Sequence, residues 1–253
     1  MQLQRIMVAT KPWERGLPIA AEHARLLARG AAAEIEIVGS VFDAAVSAGR
    51  DRGDAAARKT QDRTVVAARA GLERLAAPLR VWGARVTTRI VWGAPPYEAI
   101  LAAAQDWQAE LLVVGTHERG TLHTRLTDTD WQLLRRARCP LLLVKGAEFD
   151  GYRTIVAATD PLRAHDEPDG VDRTVLAASR CVAEACGSAV QAVGVSPAEA
   201  ILHAAAQYRA DLVIVGGAAN TAELIVGALR CDVLVVPGAD EPRVANSLCS
   251  EVG

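Results

Sequence analysis

Five segments of this chain recur in the same order, and the spacing between the copies limits what it can fold into. Ile6-Met7-Val8-Ala9-Thr10-Lys11-Pro12 pairs with Ile155-Val156-Ala157-Ala158-Thr159-Asp160-Pro161 at an offset of 149 residues. Val38-Gly39 pairs with Val193-Gly194 at 155. Pro95–Leu101 pairs with Ser196–Leu202, and Leu111–Gly115 with Leu212–Gly216, both at 101. Cys139–Val144 pairs with Cys231–Val236 at 92. Such order marks an internal duplication. The offsets also locate the differences. The second copy gains six residues after its first strand, then loses 54, then nine more.

Short Val/Ile/Leu runs bounded by Gly or Pro predict strands near 5–10, 34–41, 86–92, 111–115 and 140–145. Helical periodicity lies between them, near 18–29, 53–77, 96–107 and 127–137. The second half reads strand 153–159, helix 171–186, strand 189–194, helix 197–208, strand 211–216, helix 220–229 and strand 232–236. Strands alternating with helices predict a parallel sheet covered on both faces. The expected fold is therefore α/β, with two tandem open parallel-sheet domains of Rossmann-like type. The first, 1–146, is complete with five strands; the second, 152–237, is truncated to about four. Residues 238–253 lack periodicity and are expected to form a loose tail.

Composition narrows the function classes. The chain has 253 residues, 51% hydrophobic and 23% charged, enough to bury a core. Net charge is −2 and the pI near 6.2, which argues against nucleic acid as a partner. No apolar run reaches the roughly 20 residues of a membrane span, and no signal pattern opens the sequence, so a cytoplasmic protein without a membrane role is expected. Five cysteines without a CxxC pair fit a reducing compartment and buried thiols. His117 and His123 lie six apart with no fixed third ligand, so no metal is expected. There is no Gly-x-Ser-x-Gly and no Walker A motif, and no catalytic residue is expected.

Several motifs carry a resemblance. Val91-Trp92 is followed by Pro96-Tyr97-Glu98-Ala99-Ile100, and Thr129-Asp130-Trp131-Gln132-Leu133-Leu134-Arg135 leads into Cys139-Pro140. In the second half, Asn220-Thr221-Ala222-Glu223 leads into Leu229-Arg230-Cys231-Asp232. Together they resemble the universal stress protein family over residues 3–237, and within it the tandem members, most of all the E type. The resemblance implies strand order 3-2-1-4-5 in the first half. It also implies an intramolecular pseudo-dimer in which Leu141–Val144 meets Val233–Val236, with a homodimer as a further option. Loss of strand 3 is expected to leave 189–194 as a sheet edge, covered by residues 238–253, by a second chain or by a partner.

Nucleotide-binding members of that family carry Gly-x2-Gly-x9-Gly-Ser/Thr after strand 4, where glycines let backbone amides approach phosphates. Here the matching positions are Gly115, Glu118, Asp128 and Thr129. A carboxylate within about 4 Å of a phosphate costs about 1 kcal/mol in water and more when shielded. Glu118 and Asp128 therefore argue against ATP. Strand 1 of ATP-binding members ends in Asp; here it ends in Lys11, expected to pair with Asp128 or Glu118 in the old nucleotide space. The second half keeps Asp160 and Gly216-Gly217 but has lost the nine residues that would wrap a triphosphate. Asn220 and Glu223 read as a capping box. Lys11, Gly115, Glu118, Asp128, Thr129, Asp160, Gly216 and Gly217 are thus vestigial site positions, with no cofactor expected.

The functional expectation is a non-enzymatic stress-response adaptor or regulator working through an unidentified protein partner. The alternative is an AMP- or ATP-binding protein, or a weak ATPase, with a rebuilt site. A small-ligand or lipid-type pocket in the first half is a third reading. Asp54, Arg58, Asp62 and Arg69 on helix 53–77 read as a solvated face with local ion pairs.

Overall fold

The computed structural model describes residues 3–14, 17–116, 126–145, 150–159, 171–194, 198–216 and 219–238. The first half contains β1 (Arg5–Ala9), α1 (Ile19–Ala31), β2 (Glu34–Val41), α2 (Ala44–Asp51), α3 (Ala55–Val81), β3 (Arg85–Trp92), α4 (Pro96–Asp106), β4 (Leu111–Gly115), α5 (Asp128–Arg136) and β5 (Leu141–Val144). The second contains β6 (Thr154–Thr159), α6 (Val171–Cys186), β7 (Ala189–Gly194), α7 (Ala198–Tyr208), β8 (Leu212–Gly216), α8 (Ala219–Ala228) and β9 (Asp232–Val236).

The strands form one nine-stranded sheet in the order β3-β2-β1-β4-β5-β9-β8-β6-β7. Both halves follow the expected winding, the second without a counterpart of β3. Every neighbouring pair is parallel except β5 and β9, which pair antiparallel through Leu141↔Val235, Leu142↔Leu234 and Leu143↔Val233. Strands apolar on both faces need cover on both. One face packs Ile6, Val8, Leu111, Ile155 and Leu212 under α1, α3 and α6. The other packs Met7, Leu112, Leu143, Val156 and Val213 under α4, α5, α7 and α8. Both cores run across the β5–β9 seam. Across it α1 meets α6 so closely that a Cβ on Gly30 would lie 2.1 Å from the Ala185 carbonyl oxygen.

The expected strands all form, and β7 is an edge with its residues half-buried or exposed. Two local features differ from the sequence expectation. A short helix, α2, was not foreseen. Asp43 starts it by accepting the Val46 amide at 2.9 Å, but it buries only Gly49, so no apolar stripe betrays it. Helix α3 runs past Pro78 to Val81. Leu79, fully buried, anchors that last turn and offsets the missing proline donor.

Candidate functional site

In an open α/β sheet, ligands lie beyond the carboxyl ends of the strands, where the winding reverses. In the first half that place is between β1 and β4, neighbours in the sheet. The chain leaves β1 through Thr10, whose amide donates to the Val38 carbonyl at 3.0 Å. Pro12 then packs inward and is buried. A Cβ on Gly39 of β2 would stand 2.7 Å from Pro12 Cγ, and one on Gly71 of α3 2.0 Å from the Pro12 carbonyl. The two missing side chains therefore let Pro12 wedge between β2 and α3. Lys11 and Trp13 flank the wedge, both exposed.

Strand β4 ends in Gly115, where an added Cβ would meet only Ala20 and Ile19 of α1 at ordinary contact distances of 3.7 and 3.8 Å. Thr116 donates both its amide and its hydroxyl to the Val144 carbonyl, at 2.9 and 3.0 Å, tying β4 to β5. Helix α5 then starts with a reciprocal cap. Thr127 Oγ1 accepts from the Asp130 amide at 3.2 Å, and Asp130 Oδ2 accepts from the Thr127 amide at 2.7 Å and its hydroxyl at 2.8 Å. Asp130 is buried; Asp128, the first residue of the helix, is exposed; Thr129 is half-buried. Two carboxylates thus stand in the first turn, at the positive end of the helix dipole.

The expected Lys11–Asp128 ion pair does not form. Both side chains are exposed, where pairing two solvated charges gains little. Glu118, Lys11's other expected partner, lies outside the described residues, as do Asp160, Gly217, His117 and His123. Among the described residues no group of three or more His, Cys, Asp or Glu is arranged to hold a metal, and no helix is long and apolar enough to cross a membrane.

In the second half, the space above Gly216 is taken by α6. An added Cβ would lie 2.2 Å from Val171 Cγ1 and 2.7 Å from Val175 Cγ2. Helix α8 begins at Ala219, so Asn220 falls inside its first turn rather than capping it. Glu223 is drawn away to Arg135 of α5, whose Nε lies 2.5 Å from Glu223 Oε1. The capping-box reading places the helix start at Asn220, whereas α8 begins one residue earlier and Glu223 is engaged across the seam.

One constellation was not legible from spacing. Asp232, at the start of β9, is buried between the halves. Its Oδ2 accepts from Tyr152 OH at 2.8 Å and lies 2.8 Å from His23 Nε2; its Oδ1 accepts the Lys145 amide at 2.8 Å. The Lys145 ammonium turns to the carbonyls of Val226 and Leu229, closing the end of α8. Burial lowers the Lys145 pKa to about 8 against the pull of Cys231 and Asp232, and pushes the Tyr152 hydroxyl well up. The sequence held one sign of it: Asp232 stands where the first copy has Pro140. All four side chains are buried, and the cluster ties the two halves together.

The sequence profile of the universal stress protein family matches residues 2–145, more than half of the chain. The chain belongs to that family. This universal stress protein is 33% identical over 79 residues to universal stress protein E of Photorhabdus laumondii, a match spanning 31% of this chain and 25% of that one. It thus aligns with about a quarter of that relative's length. Its fold is similar to that of a universal stress protein structure from Archaeoglobus fulgidus, with a TM-score of 0.60 and 13% identity, covering 94% of this chain and 99% of the other. It is also similar to a structure from Pseudomonas aeruginosa UCBPP-PA14 described as a universal stress protein, with a TM-score of 0.71 and 20% identity, covering 93% and 94%. At these identities the structural likeness is one of fold. It spans both halves of the sheet.

Proposed function

We propose that this universal stress protein is a non-enzymatic adaptor or regulator that acts by contacting another protein, its nucleotide-type sites having degenerated. The observation that carries this reading is the start of α5. A helix N-terminus offers free amides and a positive dipole to a phosphate. Here Asp130 and Thr127 satisfy each other across it, and Asp128 adds a second negative charge. A phosphate would meet two carboxylates in the first turn and an Asp130 amide already engaged by Thr127. Two further features support the reading: Pro12 wedged beside β1, and Val171 and Val175 over Gly216.

The test is a titration of the full chain with ATP, AMP and adenosine, with and without Mg²⁺, followed by tryptophan fluorescence and thermal shift. Trp13 is 54% exposed beside the crevice and serves as a reporter. No response up to about 1 mM, roughly −4 kcal/mol, is expected. Micromolar binding would overturn the reading and put the nucleotide above Gly115, the less obstructed of the two strand ends.

A further inference from the structure

The excursion between β2 and β3 is larger than the sheet requires. Helix α3 has 27 residues, roughly 40 Å at 1.5 Å per residue, whereas β3 has eight, roughly 26 Å. The surplus lies at its N-terminal end. From Ala55 to Ala67 only Ala57 is buried, and it packs on Gly49 of α2 rather than on the core. Within the excursion 44–82, residues 44–67 thus project as a helical hairpin with almost no interior, while the rest of α3 packs on the sheet. The second half has no equivalent, because the 54-residue loss falls between β7 and α7.

Charge is concentrated there. Residues 44–82 hold eight Arg or Lys against four Asp or Glu, a net of +4 in a chain whose total is −2, so the remainder carries −6. Two of the four acids are already engaged. Asp54 caps α3 by accepting the Ala56 amide at 2.8 Å, and Glu73 pairs with Arg80. The local ion pairs expected among Asp54, Arg58, Asp62 and Arg69 do not form; among the described residues, Arg80–Glu73 is the only ion pair on α3. Lys59, Arg63 and Arg74 are exposed without an ion pair. They fall on one helical stripe with Val66 and Val81, since steps of three and four residues return to the same face. Val66 is 68% and Val81 83% exposed. Among the described residues, nothing pairs with the cations or covers the two valines of this face.

We infer that the outward stripe of α3, from Lys59 to Val81, is the docking surface for an acidic amphipathic helix of a partner protein. The inference rests on the adaptor reading and names the chemistry of its partner. Charge complementarity supplies the acidity: Lys59, Arg63 and Arg74 present cations with no local answer. The valines supply the amphipathicity, and they favour a protein over a nucleic acid, whose phosphates would reward the cations but not Val66 or Val81. A helix laid along the stripe would set apolar residues between the cations at three- and four-residue spacing.

The probe is a labelled peptide of about 21 residues, with Leu at the first and fourth positions of each heptad and mostly Glu elsewhere, titrated onto the full chain at low and at moderate salt. Binding is expected to weaken about tenfold in Lys59→Gln/Arg63→Gln/Arg74→Gln and severalfold in Val66→Ser/Val81→Ser. The valine effect should persist at the higher salt, where screening weakens only the charges. All five residues are exposed, so both variants should keep the parent's melting temperature. Should either lose it, the single changes Arg63→Gln and Val66→Ser carry the comparison. The inference is overturned if the peptide does not bind, if both variants bind it unchanged, or if polyglutamate of equal charge binds as well. It is equally overturned if a DNA duplex binds more tightly, or if sedimentation shows a dimer that the charge variant dissolves. The nucleotide titration reads out separately. Tight ATP binding with peptide binding intact sinks the adaptor reading alone; absent peptide binding with no nucleotide response sinks the docking surface alone.

Discussion

His23 Nε2 lies 2.8 Å from Asp232 Oδ2, joining α1 of the first half to β9 of the second, and both side chains are almost wholly buried. The other ring nitrogen, Nδ1, is 2.9 Å from the Ile19 carbonyl. Asp232 is the shared acceptor of groups from three segments. Asp232→Ala leaves the buried His23 ring and Tyr152 hydroxyl without it. Breaking a buried pair from one side costs about 3–5 kcal/mol. Urea unfolding should show a loss of that size. The conservative Asp232→Asn should cost less, because its amide oxygen still accepts. Equal losses in the two variants would mean that packing, not polar satisfaction, is what Asp232 provides.

The α1–α6 contact makes a second prediction. Gly→Ala inside a helix ordinarily gains about 1 kcal/mol from propensity. At Gly30 the added methyl would press on the Ala185 carbonyl, so Gly30→Ala should destabilise by about 1–3 kcal/mol instead. At Gly227 of α8 nothing lies within 4 Å, and Gly227→Ala should stabilise by about 0.5–1 kcal/mol. A Gly30→Ala variant that melts higher than the parent, as Gly227→Ala should, would refute the close crossing.

Lys145 sets a pH dependence. Its pKa falls from 10.5 to about 8 on folding, so between those values the unfolded chain binds the proton and the folded chain does not. Stability then rises with pH across that window. Other groups titrate there too, so the quantity to follow is the difference between parent and Lys145→Met. That difference should shift toward the parent by an amount on the order of 1–3 kcal/mol between pH 7.5 and 10.5. A difference independent of pH would show that the ammonium keeps its solvation in the fold.

Burial pushes the thiols of Cys139 and Cys231 up to about 11. The thiolate is the reactive form. Neither should alkylate with iodoacetamide at pH 8 while the chain is folded, and both should alkylate in urea. Peptide mass spectrometry distinguishes them from Cys181, Cys186 and Cys249. Rapid native labelling of Cys231 would mean that the seam around Asp232 opens to solvent.

The sheet was legible because its signals are local. Apolar runs such as Leu111–Gly115 and Leu212–Gly216 read as buried strands wherever they occur, and the duplication repeats each of them. The order of strands needed the family likeness. What stayed hidden was either too short or too distant. Helix α2 buries a single glycine, so it leaves no pattern. Pro78 reads as a stop, and only the depth at which Leu79 packs shows why α3 passes it. His23 and Asp232 meet through the packing of α1 against the far half, which no spacing rule encodes. At the candidate site, Gly115 and Asp128 were found by their register, but the reciprocal cap of Thr127 and Asp130 depended on where α5 begins.

The antiparallel seam between β5 and β9 has one more consequence. Where two separate copies meet about a two-fold axis, each carries every feature, and any surface is displayed twice. Covalent fusion removes that obligation. The second half is held at a high effective concentration by its tether, so it can shed a strand and two helices without losing its place in the sheet. Each chain thus carries one projecting hairpin, where a pair of complete copies would carry two.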